Sequence, residues 1–182
     1  MRINQNYFFL LLFILVASCN SLKDIATIGI PLSFEKIYAV SVTEDGHYEY
    51  KDSVRFDATL NGDVAEHLGN DNISKYQITE IKYLISEFKS ARDTVLLENG
   101  ALTFYNDDST EVVTWELENI YLRKLSTSKK VQKLELTSEK IQQLSNILYE
   151  GNSINLKYTA KLDTIATYNC KVTLDVSLKV GI

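Results

Sequence analysis

Two cysteines, Cys19 and Cys170, and two histidines, His47 and His67, are the side chains of this chain that could serve as nucleophile, metal ligand or proton shuttle near neutral pH. Their settings separate them. Cys19 follows the small residues Ala17 and Ser18 at the end of an eleven-residue apolar run, Tyr7 to Ala17. Cys170 belongs to an alternating segment in which Tyr168, Cys170, Val172, Leu174, Val176, Leu178 and Val180 are interleaved with Asn169, Lys171, Thr173, Asp175, Ser177 and Lys179. Period-two alternation puts every second residue on one face of a strand, so Cys170 is expected to be a buried packing thiol. His47 lies in the turn-forming Glu44-Asp45-Gly46-His47 and His67 in a polar segment. No Ser, Cys or acidic motif marks a partner for either, so no catalytic residue is assigned.

Metal and phosphate chemistry find no better footing. Asn70-Asp71-Asn72 and Asn106-Asp107-Asp108 offer the hard oxygens that calcium takes, yet neither continues into a spaced ligand loop. Turn formation accounts for both. There is no paired Cys or His spacing for zinc and no glycine-rich phosphate loop. No metal and no cofactor is expected.

Residues 1–18 have the parts of an export signal: Arg2 beside the amino terminus, the apolar run, then small residues. A membrane-crossing helix needs roughly 20 apolar residues, and this run stops well short of that. Val16-Ala17-Ser18-Cys19 resembles the lipobox of bacterial lipoproteins. That resemblance implies a diacylglyceryl group on the Cys19 thiol, cleavage before Cys19 and acylation of the new amino group with chains such as palmitate. Each buried methylene contributes about 0.8 kcal/mol, so two or three chains anchor a domain durably. An ordinary cleaved signal that happens to end beside a cysteine is the alternative. In the lipoprotein sorting scheme an aspartate after the cysteine favours the inner membrane; Asn20 stands there, which favours the outer one.

Removal of residues 1–18 takes away Arg2 and no acidic residue, so the net charge of −5 becomes −6 over the remaining 164 residues. An acidic exported domain does not fit nucleic-acid binding, which needs a positive footprint. Against that background Arg123, Lys124, Lys129, Lys130 and Lys133 form a basic stretch within Asn119 to Leu134, which contains no acidic residue. It is a candidate patch for an anionic ligand, headgroup or glycan, or a solvated hairpin whose lysines discourage edge-to-edge pairing. Of the eleven tyrosines most fall on apolar strand phases, as does Trp115 between Val113 and Leu117. Tyr48, Tyr50, Tyr105 and Tyr121 are left as candidate exposed aromatics.

The elements that would carry these residues are mostly strands. Residues 19–29 form a short lipidated tether and 30–182 one domain. Alternation marks strands at Phe34 to Val42, Val54 to Leu60, Val113 to Leu117, Ile154 to Leu162 and Tyr168 to Val180. Residues Asn61 to Asn72 suit a short helical insertion, with Asp63 as cap. Tyr76 to Phe88 fits helix or strand; its β-branched and aromatic content favours strand, with a bulge near Thr79 where the face changes. Glu98-Asn99-Gly100 and Asn106-Asp107-Asp108-Ser109 predict turns. Strand is expected over Tyr121 to Leu125, running on from Val113 to Leu117 or following a bend near Asn119, and over Val131 to Thr137. One helix is expected from about Ser138 to Tyr149, capped by Thr137 or Ser138, with Ile141, Leu144, Ile147 and Leu148 as its apolar stripe. The last two strands are expected to pair as a hairpin.

These features predict an all-β, antiparallel sandwich, immunoglobulin-like or related, with one late helix. The mature part is broadly similar to small β-sandwich lipoproteins of Bacteroidetes, a resemblance that brings no functional residues. The expected function is a noncatalytic binding or structural module, anchored by lipid in the cell envelope and partnered by another envelope protein. Carbohydrate or lipid binding is the second reading. An envelope hydrolase is the third, without a motif behind it. A pilin-like exchange of long strands is a variant of the first.

Overall fold

The computed structural model describes residues 27–43, 49–57, 73–106, 108–151 and 153–181. Cys19, His47, Tyr48, His67, the turn at Glu44 to His47, residues 58–60 of the strand expected to end at Leu60, the helical insertion at 61–72 with Asn70-Asp71-Asn72, and Asp107 lie outside the described residues. Eight strands run in chain order as β1 (Thr27–Val42), β2 (Glu49–Asp57), β3 (Ile73–Lys89), β4 (Leu96–Tyr105), β5 (Glu111–Tyr121), β6 (Gln132–Lys133), β7 (Ser153–Leu162) and β8 (Ala166–Gly181). Helix α1 (Leu122–Ser128) follows β5, and α2 (Ser138–Gly151) precedes β7. β1 begins at Thr27, opposite Gly181, so it takes in residues 27–29 of the expected tether.

The strands form two antiparallel sheets, ordered β1-β8-β3-β6 and β2-β7-β4-β5. Their pairing has one underlying rule. β1 pairs with β8, β2 with β7, β3 with β6 and β4 with β5, as if one long hairpin had been folded at the β4–β5 turn. Rolling that hairpin sends successive pairs to alternate sheets, and β3–β8 and β4–β7 pairing then closes each sheet. This is jelly-roll order. The expected sandwich is present, but the order is not immunoglobulin-like, because β1 and β2 sit in different sheets rather than side by side.

The same rolling overturns the expected β7–β8 hairpin. The residues 163–165 carry the chain from one sheet to the other, and the two strands face each other across the core. Ile154, Leu156, Tyr158, Ala160 and Leu162 of β7 point inward, as do Tyr168, Cys170, Val172, Leu174, Val176 and Leu178 of β8. Two paired strands and two facing strands leave an identical alternation, so periodicity alone does not separate them.

β3 is a strand, and its register against β8 shifts between Ile78 and Glu80 at the expected Thr79 bulge. Further shifts lie between Ile73 and Lys75 and between Ser86 and Lys89, where Glu87 has a φ of 53°. Glu98-Asn99-Gly100 is not a turn: β4 runs through it, and the shift between Leu97 and Asn99 against β7 marks a bulge. The bulge leaves Glu98 and Asn99 outward and returns Gly100 to the inner face. A Cβ on Gly100 would lie 2.8 Å from the Thr159 carbonyl oxygen, which explains the glycine better than a turn does.

The strand expected over Tyr121 to Leu125 is helix α1. Asn119, at φ 55°, bends the chain near the end of β5, and Leu122 and Leu125 then sit one helical turn apart, with Leu122 fully buried. Lys129, in left-handed conformation, ends the helix with its N–H shared between the Leu125 and Ser126 carbonyls. The strand expected over Val131 to Thr137 shrinks to β6, after which the Leu134 N–H still reaches the Ile81 carbonyl. α2 is as expected: the Thr137 hydroxyl accepts from the Lys140 N–H at 3.3 Å, and Leu144 and Leu148 are buried.

Both helices serve β3. At the Thr79 bulge the Ile78 N–H donates to Ser145 Oγ of α2 at 3.0 Å; at the shift between Ser86 and Lys89 the Phe88 N–H donates to Ser126 Oγ of α1 at 3.4 Å. A bulge takes backbone donors out of the ladder, and a buried donor without partner costs about 1–3 kcal/mol. The helix serines supply those partners.

Candidate docking site at the loop end

The rolled topology puts the end of β1 and the β3–β4, β5–β6 and β7–β8 connections at one end of the sandwich. Backbone bonds stitch three of them together. Leu122 N–H donates to the Val95 carbonyl at 3.1 Å, and Asp163 N–H to the Leu96 carbonyl at 3.1 Å. Asp163 Oδ1 accepts from the Leu96 N–H at 3.0 Å, and Ser90 Oγ donates to the Ile165 carbonyl at 2.8 Å. The segment 90–95 is thereby held between α1 on one side and the β7–β8 connection on the other.

An open hollow lies on each side of that segment. The first, about 490 Å³, has Val95 and Tyr121 in its wall and Asp93, Arg123, Lys124 and Thr127 around it. The second, about 520 Å³, is lined by Lys89, Arg92, Thr164, Ile165 and Thr167. Apolar atoms dominate the walls of both. Tyr121 and Ile165 are 57% and 39% exposed, which makes this end apolar as well as basic. Such a combination of concave apolar wall, aromatic residue and arginine is what buried interface anchors use.

The five residues of the basic stretch do not stay together as one hairpin. Arg123 and Lys124 are on α1, Lys129 and Lys130 at its exit, and Lys133 on β6. Arg123 is tied down: its Nη2 lies 3.5 Å from Asp93 Oδ1 and donates to the Arg92 carbonyl at 3.4 Å, while the guanidinium sits 5.4 Å over the Phe88 ring. Lys133 pairs with Glu80. Among the described residues no ion pair engages Lys124, Lys129 or Lys130. Tyr121, one of the four tyrosines singled out in the sequence, joins the hollow with Arg123 and Lys124. Arg92 and Ile165 carried no signal there, because only the fold brings 90–95 beside 163–165.

Of the other tyrosines, Tyr7 and Tyr48 lie outside the described residues, Tyr76 and Tyr83 of β3 are buried, and the rest divide as follows. Tyr38, Tyr158 and Tyr168 are buried between the sheets, with Tyr158 and Tyr168 hydroxyls 2.8 Å apart and the Tyr38 hydroxyl donating to the Leu156 carbonyl at 2.7 Å. Burial pushes the ionisation of all three well up. Tyr50 packs on Tyr158, and burial followed by the Asp52 carboxylate moves it up to about 12. Lys157 lies over half-buried Tyr105. Exposed Tyr149 is on the last turn of α2, at the opposite end from Tyr121. Trp115 is core, with Nε1 donating to the Glu135 carbonyl at 3.0 Å. Cys170 is fully buried, and burial pushes its thiol up to about 12, which leaves almost no thiolate at neutral pH.

In the β4–β5 turn the Thr110 N–H is held by Asn106 Oδ1 and Asp108 Oδ1, both at 2.8 Å, so these oxygens do turn work. Among the described residues no three His, Cys, Asp or Glu side chains converge on a common point, and no helix is long and apolar enough to cross a membrane.

No protein-family model and no curated protein matches the chain. Among solved structures it is similar to Desmodium yellow mottle tymovirus, at 11% identity and a TM-score of 0.33, over 85% of this chain and 90% of the other. It is similar to turnip yellow mosaic virus at 11% identity and a TM-score of 0.33, over 84% and 96%. The VP2 subviral particle of infectious bursal disease virus aligns at 10% identity and a TM-score of 0.34, over 86% of this chain and 38% of that one. Likeness of this degree carries no functional information; the fold stands on its own strand pairing.

Proposed function

We propose that this chain is a lipid-anchored protein of the bacterial cell envelope that docks another envelope protein, without catalysis, through its loop end. The observation behind this reading is that the two apolar hollows and their cations lie at the end opposite the chain's entry. Thr27 pairs with Gly181 at one end of β1, and Val42 with Ala166 at the other. Sixteen strand residues span about 50 Å at roughly 3.3 Å each. With lipid on Cys19, the residues 20–26 reach at most about 25 Å. An upright domain then presents the hollows away from its bilayer.

The edges of the first sheet support the loop end as the docking surface. β1 is an edge strand that carries Pro31, which brings no N–H to the edge, and Lys36 on its inward phase. Both features guard an edge against strand addition, which speaks against a pilin-like exchange. β6, the opposite edge, is two residues long. A glycan-stacking reading has less support, since exposed Tyr121 and Tyr149 are at opposite ends.

The test is a photo-cross-linking residue placed at Tyr121, at Ile165 or, at the far end, at Asp108, in the native host. Adducts to one envelope protein from positions 121 and 165 but not 108 are expected. Equal adducts from all three positions, or none from 121 and 165, would contradict the reading.

A further inference from the structure

We propose that the occupant of the loop-end hollows is a peptide segment of the partner in which a pair of apolar side chains is flanked by carboxylates; this rests on the docking reading above. Three observations select it. The hollows are open and apolar-walled, a shape that takes a side chain from a neighbouring surface rather than enclosing a free small molecule. Cations surround them: Lys89 and Arg92 at one, Arg123 and Lys124 at the other. Of these only Arg123 has a carboxylate within ion-pair distance among the described residues, and that carboxylate, Asp93, is 95% exposed.

In a chain of net charge −5, unmatched cations gathered around apolar wall are complementary to an acidic, apolar segment and repel a basic one. Tyr121 and Ile165 provide apolar surface for the apolar pair, and the flanking carboxylates meet Arg92 and Lys124. An anionic bilayer has related chemistry, but in the upright arrangement this end faces away from the anchoring membrane. A peptide therefore fits better than headgroups.

The experiment uses the lipidated mature protein in phosphatidylcholine nanodiscs and fluorescein-labelled hexapeptides read by anisotropy. The probes are Glu-Asp-Leu-Phe-Glu-Asp, its basic counterpart Lys-Lys-Leu-Phe-Lys-Lys, and Glu-Asp-Ser-Ser-Glu-Asp without the apolar pair. Only the first is expected to bind, more weakly as salt rises. The double variant R92E/K124E, altered at exposed positions, is expected to lose at least about tenfold in affinity for the acidic peptide and to gain the basic one. Equal binding of acidic and basic peptides, or binding untouched by the charge reversal, would overturn the proposal. So would failure of all three peptides while phosphatidylglycerol vesicles capture the nanodisc-held protein but not its R92E/K124E variant, because the occupant would then be a membrane. If the peptides fail but the Tyr121 cross-link persists, the occupant is wrong and the docking reading survives; loss of both removes the docking reading.

Discussion

Charged side chains on the outer face of the first sheet decide how this fold meets acid. Lys82 bridges Asp175, at 2.5 Å, and Glu80, at 3.1 Å; Glu80 also meets Lys133, and Lys171 pairs with Glu35 at 2.9 Å. Hydrogen bonds from Lys133 and Lys82 lower the Glu80 carboxyl, and one from Lys171 lowers Glu35. Burial raises the Asp175 pKa, yet the hydrogen bonds from Lys82 and Ser33, with the charges of Lys82 and Lys133, outweigh it, and the carboxyl is also held below its ordinary value of 3.8. Carboxyls held below their unfolded values stabilise the fold above those values, and that contribution disappears as pH falls through the folded ones. Urea stability followed by Trp115 fluorescence should therefore hold from pH 7 to about 5 and decline below about 4.5, with a shallower decline in Lys82→Met. A pH-independent midpoint down to pH 3 would contradict this. Because these pairs are partly exposed, their contribution is modest. Individual side chains were legible in the sequence where period-two phase decides burial, as for Cys170 and Trp115. The ion-pair row was not, because its members come from four strands whose neighbours only the topology defines.

Elements were legible where one period dominates and obscure where it breaks. β8 and α2 show unbroken periods of two and of helical spacing, and both form as expected. Gly100 misleads because an Asn-Gly pair suits a tight turn and a bulge alike; here the close approach of the Thr159 carbonyl decides for the bulge. At α1 the alternation of Tyr121, Arg123 and Leu125 continues that of β5, and only the bend at Asn119 starts a helix. Ser145 looked like an ordinary polar position of α2, yet it is buried and holds the Ile78 N–H. Ser145→Ala would leave that donor at the bulge without its partner, and should cost about 1–3 kcal/mol in urea unfolding with the secondary structure unchanged. A loss below about 0.5 kcal/mol would show that the helix does not serve the bulge in this way.

For the molecule entire, alternation was enough to predict two stacked sheets, since each strand has one apolar face. It was not enough to predict how the chain winds through them, because a long hairpin rolled into a jelly roll and a set of local hairpins show the same pattern strand by strand. That winding matters for function: it gathers 90–95, 121–128 and 163–165 at one end and sends Thr27 to the other. The basic stretch was therefore legible as residues but not as a site, since Arg92 and Ile165 come to the end that carries Tyr121, Arg123 and Lys124 only through the fold. On the proposed reading, this end stands outward in the envelope only if Cys19 carries a lipid anchor. Intact-mass spectrometry of protein purified from the native host's membranes should find a chain beginning at Cys19 and heavier than residues 19–182 by a diacylglyceryl group, with or without one further acyl chain. A chain of unmodified mass with a free Cys19 thiol would contradict the account.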